Sequence, residues 1–365
     1  MPPRPADRPA DRPADRPADR PADLSYAEVA QARTRVAGHT RTVTVSPSDH
    51  LGPGRRGPDH RGPDHLGPGH LGPVPGVPAG AEVFFAHEYL QHTGSFKARG
   101  AANFVSAHAS SGTLPPAGVV IASGGNAGVA CAWAAQRHGA VATVFLPTTA
   151  PAVKVARLHA FGARVRQVGS EYAEALEAAR KYAAESGALE SHAYDHPLIA
   201  AGAGTLLEEI REARPDVDTV VVAVGGGGLF AGVTAAAHHH GIRVVAVEPE
   251  HCRALNAALA AGEPVAVPVD SVAADSLGAR RATPLALDWA RRTASPSALV
   301  PDEAIVATRQ LLWDQHRLAV EHAAATAYAA LRTGAYAPAP GEKVCVVLCG
   351  ANTDLSDLMP PQPSR

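Results

Sequence analysis

Aromatic side chains make up only 5% of the 365 residues, and the 33 Lys and Arg are balanced by 35 Asp and Glu. A formal net charge of −2 leaves no basic surplus for a nucleic-acid backbone or an anionic membrane, and so few rings supply no base-stacking surface. No apolar run reaches the ~20 residues that a membrane-spanning helix needs. Cysteine is scarce too: Cys131, Cys252, Cys345 and Cys349 form neither a C-x-x-C pair nor a zinc-ligand spacing. That excludes a disulfide-stapled fold and fits a reducing compartment. With no secretory leader readable, a cytoplasmic protein is expected.

What the chain has instead is proline (32), glycine (34) and small apolar residues, with 46% hydrophobic content overall. Much of the proline lies in two biased stretches. Residues 1–23 repeat Arg-Pro-Ala-Asp, which denies a helix its N–H donors and offers nothing to bury, so this tail is expected to be disordered. Residues 51–80 form a Gly/Pro-rich insertion whose His60, His65 and His70 recur every five residues. A backbone with no fixed geometry makes a floppy surface loop the better reading there than a metal site. Residues 359–365 read as a short tail.

The remainder alternates strand and helix. "LSYAEVAQARTRVAG" has a helical apolar pattern with Ser25 as its cap, and Ser170 caps the helix "SEYAEALEAARKYAAESG". "GVVIAS", "AVATVFLP", "TVVVAV", "IRVVAVEPE" and "KVCVVLCG" are short apolar runs of strand type, and "ARVRQVG" reads as a further strand, separated by helical segments. A helical stretch is expected from Asp302 to Gly334. Val-rich strands alternating with helices imply an α/β fold of parallel sheets covered on both faces.

Four features carry chemistry. "HTGSFKARGA" sets Lys97 among small and hydroxylic residues, with Phe96 beside it; taken alone, it could be a helix start with a solvated lysine. Gly225, Gly226, Gly227 and Gly228 follow a strand and open a helix, so consecutive N–H groups up to Leu229 can converge on an anion. The pattern is neither G-x-G-x-x-G nor a Walker sequence, and its plain alternative is a tight βα turn. Ser123-Gly124-Gly125-Asn126 sits at another strand-to-helix turn, where N–H groups could hold a carboxylate and the Asn126 amide could donate to an oxygen. Asn126 as a helix cap is the alternative. Cys349 ends the last strand and can point into the same cleft, whereas Cys345 reads as buried and structural. A lysine, a phosphate cradle, an amide donor and a weak polar group are what one phosphorylated aldehyde, pyridoxal phosphate, requires.

From about residue 24 to 358 the chain resembles the pyridoxal-phosphate-dependent serine/threonine dehydratase family, nearest its serine dehydratase branch, which shares a fold with the tryptophan synthase β chain. "TGSFKARGA" resembles the family's lysine motif, "SGGNAGVA" its carboxylate loop, "GGGGLFAGV" its phosphate loop and "VVLCGAN" its ring-nitrogen strand; "YDHPLIAAG" and "SVAADSLGAR" also match. The resemblance implies two open, mostly parallel sheets flanked by helices. The cofactor would lie in a cleft between a large domain (24–112 and 191–358) and a small one (113–190), in a homodimer.

It also implies roles. Lys97 would bond covalently to pyridoxal phosphate and then act as base at the substrate Cα. Phe96 would pack beside the ring, and Asn126 would bond its hydroxyl. The amides of Gly225, Gly226, Gly227, Gly228 and Leu229 would hold the phosphate. Ser123, Gly124 and Gly125 would hold the substrate carboxylate, and Cys349 would face the pyridine nitrogen. The implied activity is β-elimination from L-serine or L-threonine to a 2-oxo acid and ammonia, in a catabolic role. The alternatives are a β-replacement enzyme of the same fold, disfavoured because those resemble G-T-G-G-T at the phosphate loop, and a non-catalytic small-molecule-binding protein.

Departures from the family pattern shape the expectation further. Gly124 stands where racemising relatives carry a second serine, so racemisation should be poor. Ala127 stands where many threonine dehydratases have histidine, which tilts the choice towards serine. Glu248 matches a glutamate that helps bind a cation in relatives. With Ala254 in place of a second acid a divalent site looks broken, and a monovalent cation is the remaining reading. His238, His239 and His240 read as helix-end residues rather than a metal site, and Arg99 as a structural ion-pair partner. Glu321 matches an acidic position near the cofactor, but His322 departs from the family's proline, and the role of Glu321 is left open.

Overall fold

The computed structural model describes residues 24–48, 78 and 80–358. The Arg-Pro-Ala-Asp tail, the histidines at 60, 65 and 70 with nearly all of the Gly/Pro stretch, and residues 359–365 lie outside the described residues.

Helix α1 (Tyr26–Val36) starts at Ser25, whose backbone N–H donates to the Glu28 carboxylate at 2.7 Å. Strands β1 (Val45–Pro47) and β2 (Glu82–Ala86) follow, then helix α2 (Lys97–Ser110). The next stretch builds one sheet from β3 (Val119–Ala122), α3 (Asn126–Arg137), β4 (Ala142–Leu146), α4 (Ala152–Ala160), β5 (Arg164–Gln167), α5 (Tyr172–Ser186) and β6 (Leu189–Glu190). A second begins with α6 (Pro197–Ala213), β7 (Thr219–Ala223), α7 (Gly228–His239), β8 (Arg243–Pro249) and α8 (Ala254–Ala261). It ends with α9 (Ala274–Leu277), α10 (Pro284–Arg292), β9 (Ser297–Val300), α11 (Asp302–His316), α12 (His322–Thr333) and β10 (Lys343–Val347).

The smaller sheet has the order β5-β4-β3-β6, all parallel. The larger has the order β1-β2-β10-β7-β8-β9, parallel except where β1 runs against β2. This is the expected architecture of two mostly parallel sheets flanked by helices. Position in the sheet explains composition. β7 is central, buried at all five positions and almost purely apolar, while the edge strand β5 exposes Arg164 and Arg166, charges that discourage further strand pairing.

Backbone contact between helices sets the site. A Cβ on Gly204 of α6 would lie 2.5 Å from the Gly232 carbonyl of α7, so the two helices cross with no side chain between them. Beside them, Arg99 in the first turn of α2 is fully buried. Its Nε donates to Glu88 at 2.6 Å and its Nη1 to Glu209 of α6 at 2.7 Å. A buried cation is tolerated only when paired this fully. Arg99 thus has the structural role expected of it, pinning the start of α2 against α6.

Three local expectations are corrected. The cap of α5 is Glu171, not Ser170, because the Glu174 carboxylate accepts from both N–H groups, at 3.0 Å and 2.6 Å. The helical stretch from Asp302 is broken at Arg317, which adopts φ 55°, and residues 317–321 connect α11 to α12. Strands β1, β2, β6 and β9 are additional to those read from sequence. No helix among the described residues is long and apolar enough to cross a membrane.

Candidate active site

Ser95 is extended and bridges to Gly350, and Phe96 N–H donates to the Cys349 carbonyl at 3.0 Å. The chain then turns helical, so that Lys97 opens α2 from a point fixed to the end of β10. Lys97 is therefore not a solvated helix start. Its Nζ donates to the Ala193 carbonyl at 2.8 Å and lies 4.7 Å from the Phe96 ring centroid and 5.7 Å from that of Tyr194. Burial lowers its pKa to about 8, against the opposing influence of Cys349 and Glu321. An amine so depressed is available as nucleophile and base near neutrality.

Lys97 lines a pocket shared with Phe96, Ala127, His192, Gly228 and Leu229. The glycine loop between β7 and α7 forms one end. Gly227 adopts φ +96°, and a Cβ there would fall on the Ala286 methyl. A Cβ on Gly226 would fall on the Tyr194 ring, one on Gly228 would lie 2.7 Å from the Tyr194 carbonyl, and one on Gly225 would lie 3.0 Å from Leu277 Cα. Four glycines are thus required by close approach, not by flexibility. The first N–H groups of α7, at Gly228 and Leu229, have no partner within a helix.

Asn126 is the first residue of α3, with Gly125 in the capping position. Its Nδ2 donates to Glu321 at 2.9 and 3.1 Å, and its Oδ1 accepts from Asn352 Nδ2 at 2.6 Å. Glu321, left open in the sequence reading, is the hub of this network. It is buried and also accepts from Ser276 Oγ at 2.7 Å and the Asn352 N–H at 2.8 Å. Arg157 of α4 joins it by donating to the Asn352 side chain and to the Thr93 carbonyl. With the Lys154–Asp275 ion pair, these contacts tie the small-sheet helices to the larger sheet across the mouth of the site.

Ser123, Gly124 and Gly125 form the turn at the carboxyl end of β3. A Cβ on Gly124 would meet Leu146 Cδ2 at 2.9 Å. Cys349 is buried beyond β10, and burial, then Glu321, pushes its thiol far above the ordinary range. Cys345 is buried in the core of the larger sheet, as expected. Glu248, the cation candidate, is buried at the end of β8. Its carboxylate accepts the N–H groups of Leu255 and Asn256 at 2.7 and 2.8 Å, at the start of α8, and burial raises its pKa to about 7. The histidines at the end of α7 have local partners: His239 stacks on Tyr26, and His240 pairs with Glu208 at 2.8 Å.

The sequence reading missed Asn352, Ser276, Arg157, Tyr194 and His192. Asn352 lies just past the "VVLCGAN" motif's cysteine, and Tyr194 within "YDHPLIAAG", so both were within sight. Glu321 pairs with Asn126 across 195 positions, which no local pattern signals.

A lysine with a depressed pKa, a glycine cradle that no Cβ can enter, and a buried neutral thiol fit pyridoxal phosphate. Comparison with known proteins agrees. Residues 64–350 match the family described as pyridoxal-phosphate dependent enzyme. The chain is 36% identical to a serine dehydratase-like protein of Mus musculus, over 75% of this chain and 86% of that one. It is 34% identical to the L-threonine ammonia-lyase of Geobacter sulfurreducens, over 76% of this chain and 69% of that one. Among solved structures, maize serine racemase superposes with a TM-score of 0.79 at 27% identity, covering 92% of this chain and 95% of the other.

Proposed function

The chain belongs to the pyridoxal-phosphate-dependent enzyme family that includes the serine and threonine dehydratases, and on that premise we propose that it eliminates water from L-serine or L-threonine to give a 2-oxo acid and ammonia. When bound, the cofactor supplies an electron sink for negative charge at the substrate Cα. Everything else falls to the chain. Lys97 would carry the cofactor, and the amides from Gly225 to Leu229 would hold its phosphate at the positive end of α7. Asn126, whose amide donates to Glu321 and accepts from Asn352, would supply an N–H to the ring hydroxyl. Ser123, Gly124 and Gly125 would hold the substrate carboxylate with their N–H groups. The Lys97 amine would take the substrate's Cα proton, with the β-hydroxyl departing. The product hydrolyses once free. Cys349, kept neutral by burial, would put no negative charge beside the ring nitrogen, which favours prompt elimination over a long-lived carbanion.

Racemisation needs a proton donor on the second face of Cα. Gly124 has no side chain, and Leu146 occupies the space one would enter. The observation that carries the dehydratase reading is the depressed Lys97 amine facing the glycine loop. Release of 2-oxo acid from L-serine and L-threonine by the holoenzyme tests it. Lys97→Ala should lower release by about 10³-fold or more. Near wild-type turnover in that variant would remove the assignment.

A further inference from the structure

His192 sits in the same pocket as Lys97, in the loop that follows β6. Its Nδ1 accepts two backbone N–H groups, from Asp195 at 2.9 Å and Tyr194 at 3.2 Å. An atom that accepts two N–H bonds carries no proton, so the proton resides on Nε2. Burial lowers the pKa of this imidazole, with Lys97 adding to the effect, so the ring is neutral. Its neighbour Ala193 provides the carbonyl that holds Lys97 Nζ, which places ring and amine on one wall. Ser191, which also lines this pocket, is engaged with the Cys131 thiol. Among the described residues His192 Nε2–H has no hydrogen-bond partner, both of the ring's bonds being at Nδ1. The loop therefore presents a fixed hydrogen-bond donor that the fold itself does not use.

We propose that His192 donates its Nε2–H to the substrate's β-hydroxyl and holds the Cβ–O bond in position to break, an inference that rests on the dehydratase reading. The ring is a donor and not an acid. Giving up its proton would leave an imidazolate whose Nδ1 is already taken by N–H groups. The atoms balance through Lys97: Nζ takes the Cα proton, the C–H electron pair becomes the Cα–Cβ double bond, and the Cβ–O pair leaves with oxygen. The collected proton departs with that oxygen as water, and the amine is regenerated.

The test compares two leaving groups on the holoenzyme: hydroxide from L-serine, and chloride from 3-chloro-L-alanine, which leaves without a proton or a donor. His192→Asn keeps an acceptor near Nδ1 for the loop and removes the donor at the Nε2 position, which its shorter amide does not reach. It should lose about 10²-fold in kcat/KM on L-serine and less than about threefold on 3-chloro-L-alanine. His192→Gln, which restores an N–H farther out, should recover about tenfold of the loss. The inhibition constant of L-alanine, which has no hydroxyl, should stay within about threefold in both variants, a binding readout that a damaged pocket would shift. Equal losses on both substrates overturn the proposal, as does selective loss in Tyr194→Phe with none in His192→Asn. Failure of the wild-type holoenzyme to release 2-oxo acid from L-serine or L-threonine overturns the dehydratase reading, and the proposal with it. Release by wild type with equal variant losses overturns the proposal alone.

Discussion

At Cys349 the choice of side chain is governed by its neighbours. The thiol is buried, and the Glu321 carboxylate and the Lys97 amine are both near enough to act on it. Serine is a neutral hydroxyl of similar size, so Cys349→Ser should load cofactor and keep most of its elimination activity. Cys349→Asp would set a second carboxylate close to Glu321 in a buried place. A buried charge without its own partner costs about 3 kcal/mol or more. That variant should melt several degrees lower in the cofactor-free form and release less 2-oxo acid. If both variants match wild type in melting and turnover, Cys349 does not face the cofactor. At this scale the sequence was legible where one short motif holds the whole meaning, as with Lys97 and the four glycines. It was not legible for Glu321, whose partners Asn126, Ser276 and Asn352 come from three separate segments, nor for His192, whose ring is oriented by the amides of its own loop.

The element that would hold the cofactor's phosphate is the join between β7 and α7. Its geometry allows little change, since Gly227 is left-handed and the Ala286 methyl stands where its Cβ would go. Gly227→Ala should therefore disturb both the turn and the first N–H groups of α7. Strain of roughly 1–2 kcal/mol for the left-handed residue, with the clash added, should leave a folded protein with little bound cofactor. Absorbance of the cofactor after dialysis, set beside an unchanged far-ultraviolet circular dichroism spectrum, checks this; full cofactor content would refute it. Strand-helix alternation made this join visible in sequence, because an apolar β7 and an alanine-rich α7 have distinct periods. The strands that escaped notice are short or poorly bounded. β9 is four residues long, and β2 emerges straight from the Gly/Pro stretch. The Ser170 expectation failed for a local reason: Glu174 reaches back over two residues, and the cap moves one along.

Across the whole molecule, two ionic ties should differ sharply in worth. Arg99 is fully buried between Glu88 and Glu209, whereas Lys154 and Asp275 meet at a solvated surface with 36% and 64% of their side chains exposed. Arg99→Met strands the buried Glu88 carboxylate and the partly buried Glu209, and should lower unfolding free energy by about 3–5 kcal/mol. Lys154→Ala should change it by less than about 1 kcal/mol. Urea denaturation of the two variants side by side tests the contrast, and equal effects would mean that the Arg99 network is not the anchor of α2. Parallel sheets covered by helices were legible from strand-helix alternation, and that there are two of them followed from the family resemblance. The seam between the sheets was not, since Arg157, Asn352, Lys154 and Asp275 are ordinary surface types that acquire meaning only when folding brings them together.

The position of β10 has a consequence for how the protein is made. This strand comes late in the chain, yet it lies in the interior of the larger sheet, between β2 and β7, and the segment after it pairs with Ser95 and Phe96. On the ribosome, the smaller sheet can assemble from contiguous residues 119–190 as they emerge. The larger sheet must wait with two facing edges unpaired until residues 343–350 are out. Until then nothing holds Lys97 at the end of β10, so capture of the cofactor belongs after synthesis. The waiting chain exposes two apolar strand edges, the state in which a nascent protein most needs a chaperone.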